Sequence, residues 1–196
     1  MATFDDVKLH IPARGHLFYD DVDAPMFDLD AFNFTAPSTW GSATWVGDLS
    51  IENLPEWESE GGEVTFKHTW DRPNRASTRT PKSVSGTFNS VNIARETMEL
   101  GFEGGTYDVT TDSYGVPAAE VTAKKALYLV TEDGTDVSAL EFHNTEISGS
   151  FPLYNNEEFL EIPLTVTVLT SPTKSQPWRI HFPRPYAGPP AEPVTP

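Results

Sequence analysis

Residues 45–70 read WVGDLSIENLPEWESEGGEVTFKHTW, and their alternation decides the fold class. Trp45, Gly47, Leu49 and Ile51 fall on one side of an extended chain, and Val46, Asp48 and Ser50 on the other. After a break at Asn53-Leu54-Pro55 comes an acidic segment with a lone Trp57, closed by Gly61-Gly62. A second alternation follows, with Val64, Phe66, His68 and Trp70 opposite Glu63, Thr65, Lys67 and Thr69. Period-two alternation marks strands with one covered face and one polar face. On this pattern Trp45 and Trp70 are expected in the core, and Trp57 is the indole left free. Residues 52–62 are longer than a hairpin needs, which predicts a loop that touches another molecule.

Working outward, Arg14–Tyr19 reads as a short first strand after an extended arm over residues 1–13. The segment 20–44 is acidic yet carries Phe27, Phe32 and Phe34, more apolar surface than a solvated linker holds. It is expected to lie either on a neighbouring subunit or over its own core. Downstream, Arg72, Arg75 and Arg79 sit in a proline-punctuated stretch read as an exposed turn facing acidic groups. Val84, Gly86 and Phe88 alternate with Ser85, Thr87 and Asn89, predicting another strand. A short helix is expected after it, capped by Asn92, with Ala94, Thr97, Met98 and Phe102 turned inward and Gly101 at its exit.

Ala126–Val130 is apolar on both sides, which suits a central strand, and Asp133-Gly134 is a hairpin turn signal. The cleanest alternation is Leu160–Val168. Leu160, Ile162, Leu164, Val166 and Val168 face one way, and Glu161, Pro163, Thr165 and Thr167 the other. Pro163 lacks a ladder donor, so a strand edge or a bulge is expected there. Trp178, Ile180 and Phe182 predict a last strand before a proline-rich tail over residues 183–196. The chain therefore reads as mainly β: an antiparallel β-sandwich over residues 1–182, flanked by one short α-helix, with long loops at 20–44 and 52–62.

The 196 residues carry 29 acidic and 13 basic side chains, a formal net charge of −16. That excludes a basic footprint for reading DNA sequence, though an acidic wall repels phosphates and lets DNA pass. With no cysteine, disulfides and thiolate metal sites are excluded. The five histidines are scattered without metal-ligand spacing, and nucleophile-elbow and phosphate-loop motifs are absent. Glu56, Glu58 and Glu60 could seed a glycosidase carboxylate pair, but such a triplet more often forms a solvated edge. The residues predict no catalytic site, no metal and no cofactor. A carbohydrate-binding β-sandwich module, stacking sugars on Trp57, is the alternative reading.

The stretch resembles the major tail tube proteins of siphophages that infect actinobacteria. Gly47, Ser50, Glu52, Leu54-Pro55-Glu56, Glu60-Gly61-Gly62-Glu63 and Thr69-Trp70 carry the resemblance. Asp48 departs from the histidine of that family's G-H-T-S motif. The order of Arg-rich segment, Thr/Phe strand and short helix also follows the family over the first half of the chain. The resemblance implies a structural subunit of a long non-contractile tail, found in the virion. Hexameric rings would stack into a conduit for DNA ejection, which viral DNA crosses without specific binding. Its partners would be further copies of itself and the tape measure, tail terminator and distal tail proteins. Within that frame the strands over residues 119–130 and 160–168 are expected in the inner sheet, with Glu161, Thr165 and Thr167 facing the lumen. Phe27, Phe32, Phe34, Leu54, Glu56, Trp57, Arg72, Arg75 and Arg79 are expected at contacts between subunits.

Overall fold

The computed structural model describes residues 10–185 except residues 35, 38–39, 120 and 155–158, and at residues 73 and 75 it describes the backbone alone. Expectations for the arm over residues 1–9 and the tail over 186–196 fall outside it. The described chain is mainly β, with one antiparallel sheet at its centre. The strands are β1 (Arg14–Asp20), β2 (Thr44–Trp45), β3 (Glu56–Gly61), β4 (Val64–Thr69), β5 (Arg72–Arg79) and β6 (Lys82–Ser90). After helix α1 (Arg95–Gly101) come β7 (Thr106–Asp108), β8 (Ser113–Gly115), β9 (Ala123–Glu132), β10 (Asp136–Gly149), β11 (Ile162–Val168) and β12 (Trp178–Pro185).

The main sheet runs β2-β1-β9-β10-β11-β6-β3, with β12 also on β10. It forks along the 14-residue β10. Residues 136–142 pair with β12, and residues 145–149 pair with β11. The register shifts between Phe142 and Thr145 mark the fork. There the His143 N–H donates to the Pro177 carbonyl at 3.1 Å, and the Asn144 carbonyl accepts from Leu169 at 2.9 Å. A bulge of this kind lets one strand serve two partners in succession. The β11-β6-β3 branch then curls back, so that Trp57 of β3 stacks on Phe142 of β10 with ring centroids 4.3 Å apart. This curl, with α1, gives the sandwich its second layer.

Each face of the sheet has its own core. On one face Leu17, Phe88, Leu100, Leu127, Phe142, Ile147, Ile162, Leu164 and Val166 pack under α1 and the curled branch. On the other, Phe18, Ala126, Tyr128, Val130, Val137 and Ala139 are roofed by Leu29, Phe32, Phe34 and Trp40. The strand β9 feeds both cores, as its two-sided apolar sequence predicts. Within β11 the inward residues Ile162, Leu164 and Val166 are fully buried, while Thr165 and Thr167 are exposed. Pro163 sits in a central strand, but β10 pairs with β11 only from Leu164 onward. The edge or bulge expected at Pro163 is therefore not found; its carbonyl accepts from the Ser150 N–H at 2.8 Å just past the end of β10, where a missing ladder donor is tolerated. Leu164→Ala should cost about 2–5 kcal/mol by opening a cavity. For a domain this size that lowers the melting temperature by roughly 5–15 °C, measurable by calorimetry.

Several sequence expectations need correction. The strand predicted over 45–51 shrinks to Thr44–Trp45. Gly47 lies at φ +98°, where an added Cβ would meet the Asn92 side chain within 2.3 Å, and this bends the chain out of the sheet. Val46 is consequently in the core and Ile51 is exposed, the reverse of the alternation. Residues 56–61 are strand β3, not loop. The Arg-rich segment is strand β5 of a hairpin, not a turn. The helix has about two turns. Ala94 occupies its N-cap position without a side-chain cap, because the Asn92 amide donates to the Val46 carbonyl at 3.3 Å instead. Its buried residues are Thr97, Leu100 and Gly101. The proline-rich character begins within β12, which extends to Pro185.

The fork also holds a buried charge cluster. Both carboxylate oxygens of Glu141 are engaged, one by His143 at 3.2 Å and Lys174 at 3.5 Å, the other by His181 at 3.0 Å and Arg179 at 3.8 Å. Burial alone would raise the Glu141 pKa, but the His181 bond with His143, Lys174 and Arg179 holds it below the usual value. Burial lowers the His143 pKa, outweighing the pull of Glu141. Both shifts work in one direction. The unfolded chain takes up protons first, so stability falls as pH drops below about 6.5 through His143, and further as Glu141 is protonated. Glu141→Gln should destabilise the fold at pH 7 by about 3–5 kcal/mol, by leaving cations buried without their partner. Its chemical denaturation midpoint should also depend less on pH between 7 and 4.

Candidate functional site

The strongest functional surface is the outer face of the curled branch. Register across it is fixed by the pairings Glu58↔Ser85, Glu56↔Thr87, Thr165↔Thr87, Thr167↔Ser85, Ser148↔Thr165 and Glu146↔Thr167. Side chains directly opposite one another in a sheet share a face. Glu56, Glu58 and Glu60 of β3 therefore join Ser83, Ser85 and Thr87 of β6, Thr165 and Thr167 of β11, and Ser148 and Glu146 of β10. The opposite face of the same strands carries Trp57, Phe88, Leu164, Val166 and Ile147 into the core. The outer surface is thus short hydroxyls and carboxylates over four strands, with Lys124 opposite Glu146 at its border. Pro163 and Asn89 stand at one end of it, and the paired strand residues on this face include no aromatic side chain.

Thr165 and Thr167 lie on this face, as their alternation predicts. Glu161 does not join them in solvent. It is 6% exposed, and its carboxylate accepts from Asn89 at 2.6 Å and Asn53 at 2.9 Å. A hydrogen bond from Ser50, helped by the two Asn amides, holds its pKa below the usual value. Its role is to tie the 50–54 segment to the start of β11. The residues that sequence reasoning missed are Glu58, Glu60, Ser83, Ser85, Thr87, Glu146 and Ser148. The signal was present: Glu-Trp-Glu-Ser-Glu alternates with period two, and so do residues 83–87.

A second surface is the β4–β5 hairpin. It continues the β3–β6 ribbon past a bend where Gly61 and Gly62 both have positive φ, at +86° and +78°. Every residue of β4 is exposed, Val64 and Phe66 included, and Trp70 at the tip is fully exposed. The expected burial of Trp70 is therefore overturned: the alternation is real, but among the described residues nothing covers that face. Residues 63–80 contain four of the thirteen basic residues and two of the twenty-nine acidic ones, a net charge of +2 against −18 for the rest. A two-stranded ribbon is marginal alone in water and gains stability from a partner.

The remaining contact candidates separate clearly. Leu54 and Glu56 are exposed, as are Arg72 and Arg79 beside Arg75 on the hairpin. Phe32 and Phe34 are 1% and 4% exposed, and the two rings meet edge-on at 4.5 Å over their own sheet. The expected contact with a neighbour through these two is corrected: the 20–44 segment roofs its own core. Phe27 is half-buried against Trp40. Trp57 is not the free indole of the sequence reading, since it stacks inside on Phe142. Asp48 is exposed, and its carbonyl accepts from the Val91 N–H at 3.1 Å, so the backbone does the structural work whatever the side chain.

Among the described residues no group of three His, Cys, Asp or Glu could hold a metal, and no helix is long and apolar enough to cross a membrane. Comparison with known proteins identifies the family. The family described as "Phage tail tube protein" matches residues 1–180. The major tail protein Gp23 of Mycobacterium phage D29 is 30% identical over 141 residues, covering 68% of this chain and 70% of that protein. A mainly β subunit with a plain polar wall and an uncovered ribbon therefore belongs to the phage tail tube protein family, a structural component of the virion tail.

Proposed function

We propose that six subunits close into a ring, that rings stack into the tail tube, and that viral DNA leaves the capsid along its lumen. The outer face of β3, β6, β11 and β10 lines that lumen, with Thr165 and Thr167 near its middle. One observation carries this reading: four adjacent strands present mostly short hydroxyls and carboxylates outward, with no aromatic side chain among them. DNA moving past such a wall meets like charge and no groove-reading or stacking group, so it is repelled rather than held. The subunit acts without catalysis, and its partners are other copies, the tape measure, and the terminator and distal proteins at the tube ends.

The β4–β5 hairpin is the element that joins subunits. Its net positive charge suits the acidic remainder of another copy, and its apolar side chains need cover. A contact between unlike patches closes around a ring or propagates along an axis. Electron microscopy of the concentrated protein tests the reading: stacked rings with an axial channel are expected, and dispersed monomers at every concentration would overturn it.

A further inference from the structure

A cleft of about 350 Å³ is lined by α1, the turn after it, and strands β1, β8 and β9. Tyr19, Leu100 and Tyr114 give it apolar lining, and Glu99 and Glu103 add two carboxylates. Tyr114 is fixed in place. Its hydroxyl donates to the Phe102 carbonyl at 2.8 Å, and its ring lies so close to Gly105 that an added Cβ would meet it at 2.3 Å. Lys125, a cation in the lining, is already held by Asp21 at 2.9 Å. From α1 to β8, residues 95–115 carry five acidic side chains and one basic, a net charge of −4. The basic one, Arg95, is tied to Glu99 at 2.6 Å. Glu96 and Glu103 are exposed and stand outside any ion pair among the described residues.

The β4–β5 hairpin is the complement of this cleft. Trp70 at its tip is fully exposed. Lys67, Arg72 and Arg79 are exposed and form no ion pair among the described residues. Asp71, the acid of the tip, is occupied by the Thr69 hydroxyl, which donates to it at 3.0 Å. Resting on the reading that this hairpin joins subunits, we propose that its tip docks in the α1–β8 cleft of a second copy. Trp70 enters beside Tyr19 and Tyr114, and Arg72 lies against Glu99 and Glu103. Charge favours this occupant, since a ribbon of net +2 meets a surface of net −4 and both keep unpaired groups for the contact. Size favours it too, because clefts of about 300–1,000 Å³ are those that enclose ring-bearing groups. Trp and Arg are also the side chains that carry interface energy when seated in a well-packed pocket, the indole on aromatic walls and the guanidinium on carboxylates. Tip and cleft are different surfaces of one chain, so the contact repeats from copy to copy.

Charge exchange tests the pairing. Full-length variants are assembled at low salt and matched concentration, and the yield of sedimented tubes is read. Glu99→Gln with Glu103→Arg should cut that yield about fivefold, because like charges then meet across the contact. Arg72→Glu alone should do the same. The chain carrying all three substitutions should return to within about twofold of the parent, since the pair is restored in reverse. A neutral cleft, Glu99→Gln with Glu103→Gln, keeps side-chain size and should still lose about threefold. The altered side chains all reach solvent, and calorimetry of the unassembled subunits should give parent melting temperatures, so that a lost yield is a lost contact. Parent yield from both cleft variants would overturn the docking site while leaving the hairpin's role intact, because Arg72→Glu reads that role separately. No recovery in the triple variant would overturn the pairing and assign the tip to another acidic surface. Parent yield from Arg72→Glu would overturn the contact from the hairpin's side.

Discussion

Excision of residues 63–80, with Gly62 joined to Pro81, is expected to leave a folded subunit that forms no tubes. The hairpin is a continuation of the β3–β6 ribbon, and the Gly61↔Lys82 pair below it closes without it. Neither core draws a buried residue from β4 or β5. The melting temperature should therefore stay within a few degrees of the parent, since surface changes away from buried features cost little. Assembly should fail outright, because the deletion removes Val64, Phe66 and Trp70 from the contact together with four basic side chains. Charge and apolar cover can be separated. Arg72→Glu with Arg79→Glu keeps the ribbon but inverts its attraction to an acidic neighbour, so tubes should form slowly and improve with added salt. Sedimentation and electron microscopy at matched concentration check both variants. Tubes of normal yield from the deletion would remove the hairpin from the joint.

Lysine at Thr87, Thr165 and Thr167 together should leave assembly intact and impair the passage of DNA. These side chains are exposed on the outer face and do not enter either core, so folding tolerates the change. In a tube the substitution repeats in every subunit, turning a repelling wall into rows of cations facing the phosphates. Each phosphate contact adds affinity and salt dependence, and many weak contacts in series become a brake. Particle counts should hold while infective titre falls by roughly tenfold or more, with ejection slowed most at low salt. Triple substitution by serine, which keeps the hydroxyls, is the matched control and should behave as the parent. Equal titres for the lysine and serine particles would show that this face does not meet DNA.

The sequence was most legible where the period-two pattern and burial coincide. Leu160–Val168 has one purely apolar side and one small polar side, and β11 buries the first and exposes the second. Ala126–Val130 is apolar on both sides, and β9 lies between two cores. The reading failed where alternation and burial part company. Val64, Phe66 and Trp70 alternate as a core strand would, yet among the described residues they stand exposed. Alternation reports that a face is to be covered and is silent on which molecule covers it. Trp57 misled in the opposite sense: acidic neighbours suggested a free loop, but they are the outward half of a strand whose inward half is the indole. The aromatic residues of the 20–44 segment were undecidable from sequence, since a roof over one's own core and a patch for a neighbour share a composition. Glu161 illustrates a further limit, because its burial depends on Asn53 and Asn89 arriving from elsewhere in the chain. The second partner of β10 was equally invisible, because the fork depends on two residues where the register slips.

A three-dimensional reconstruction of the assembled tube, resolved well enough to trace side chains, measures which sheet face borders the channel. The account predicts Glu56, Glu58, Thr87, Thr165 and Thr167 on the channel surface, with Trp57 and Val166 one layer behind them. A channel lined instead by the 20–44 segment, or by β12, with the Thr165 face turned to the outside of the tube, would contradict it.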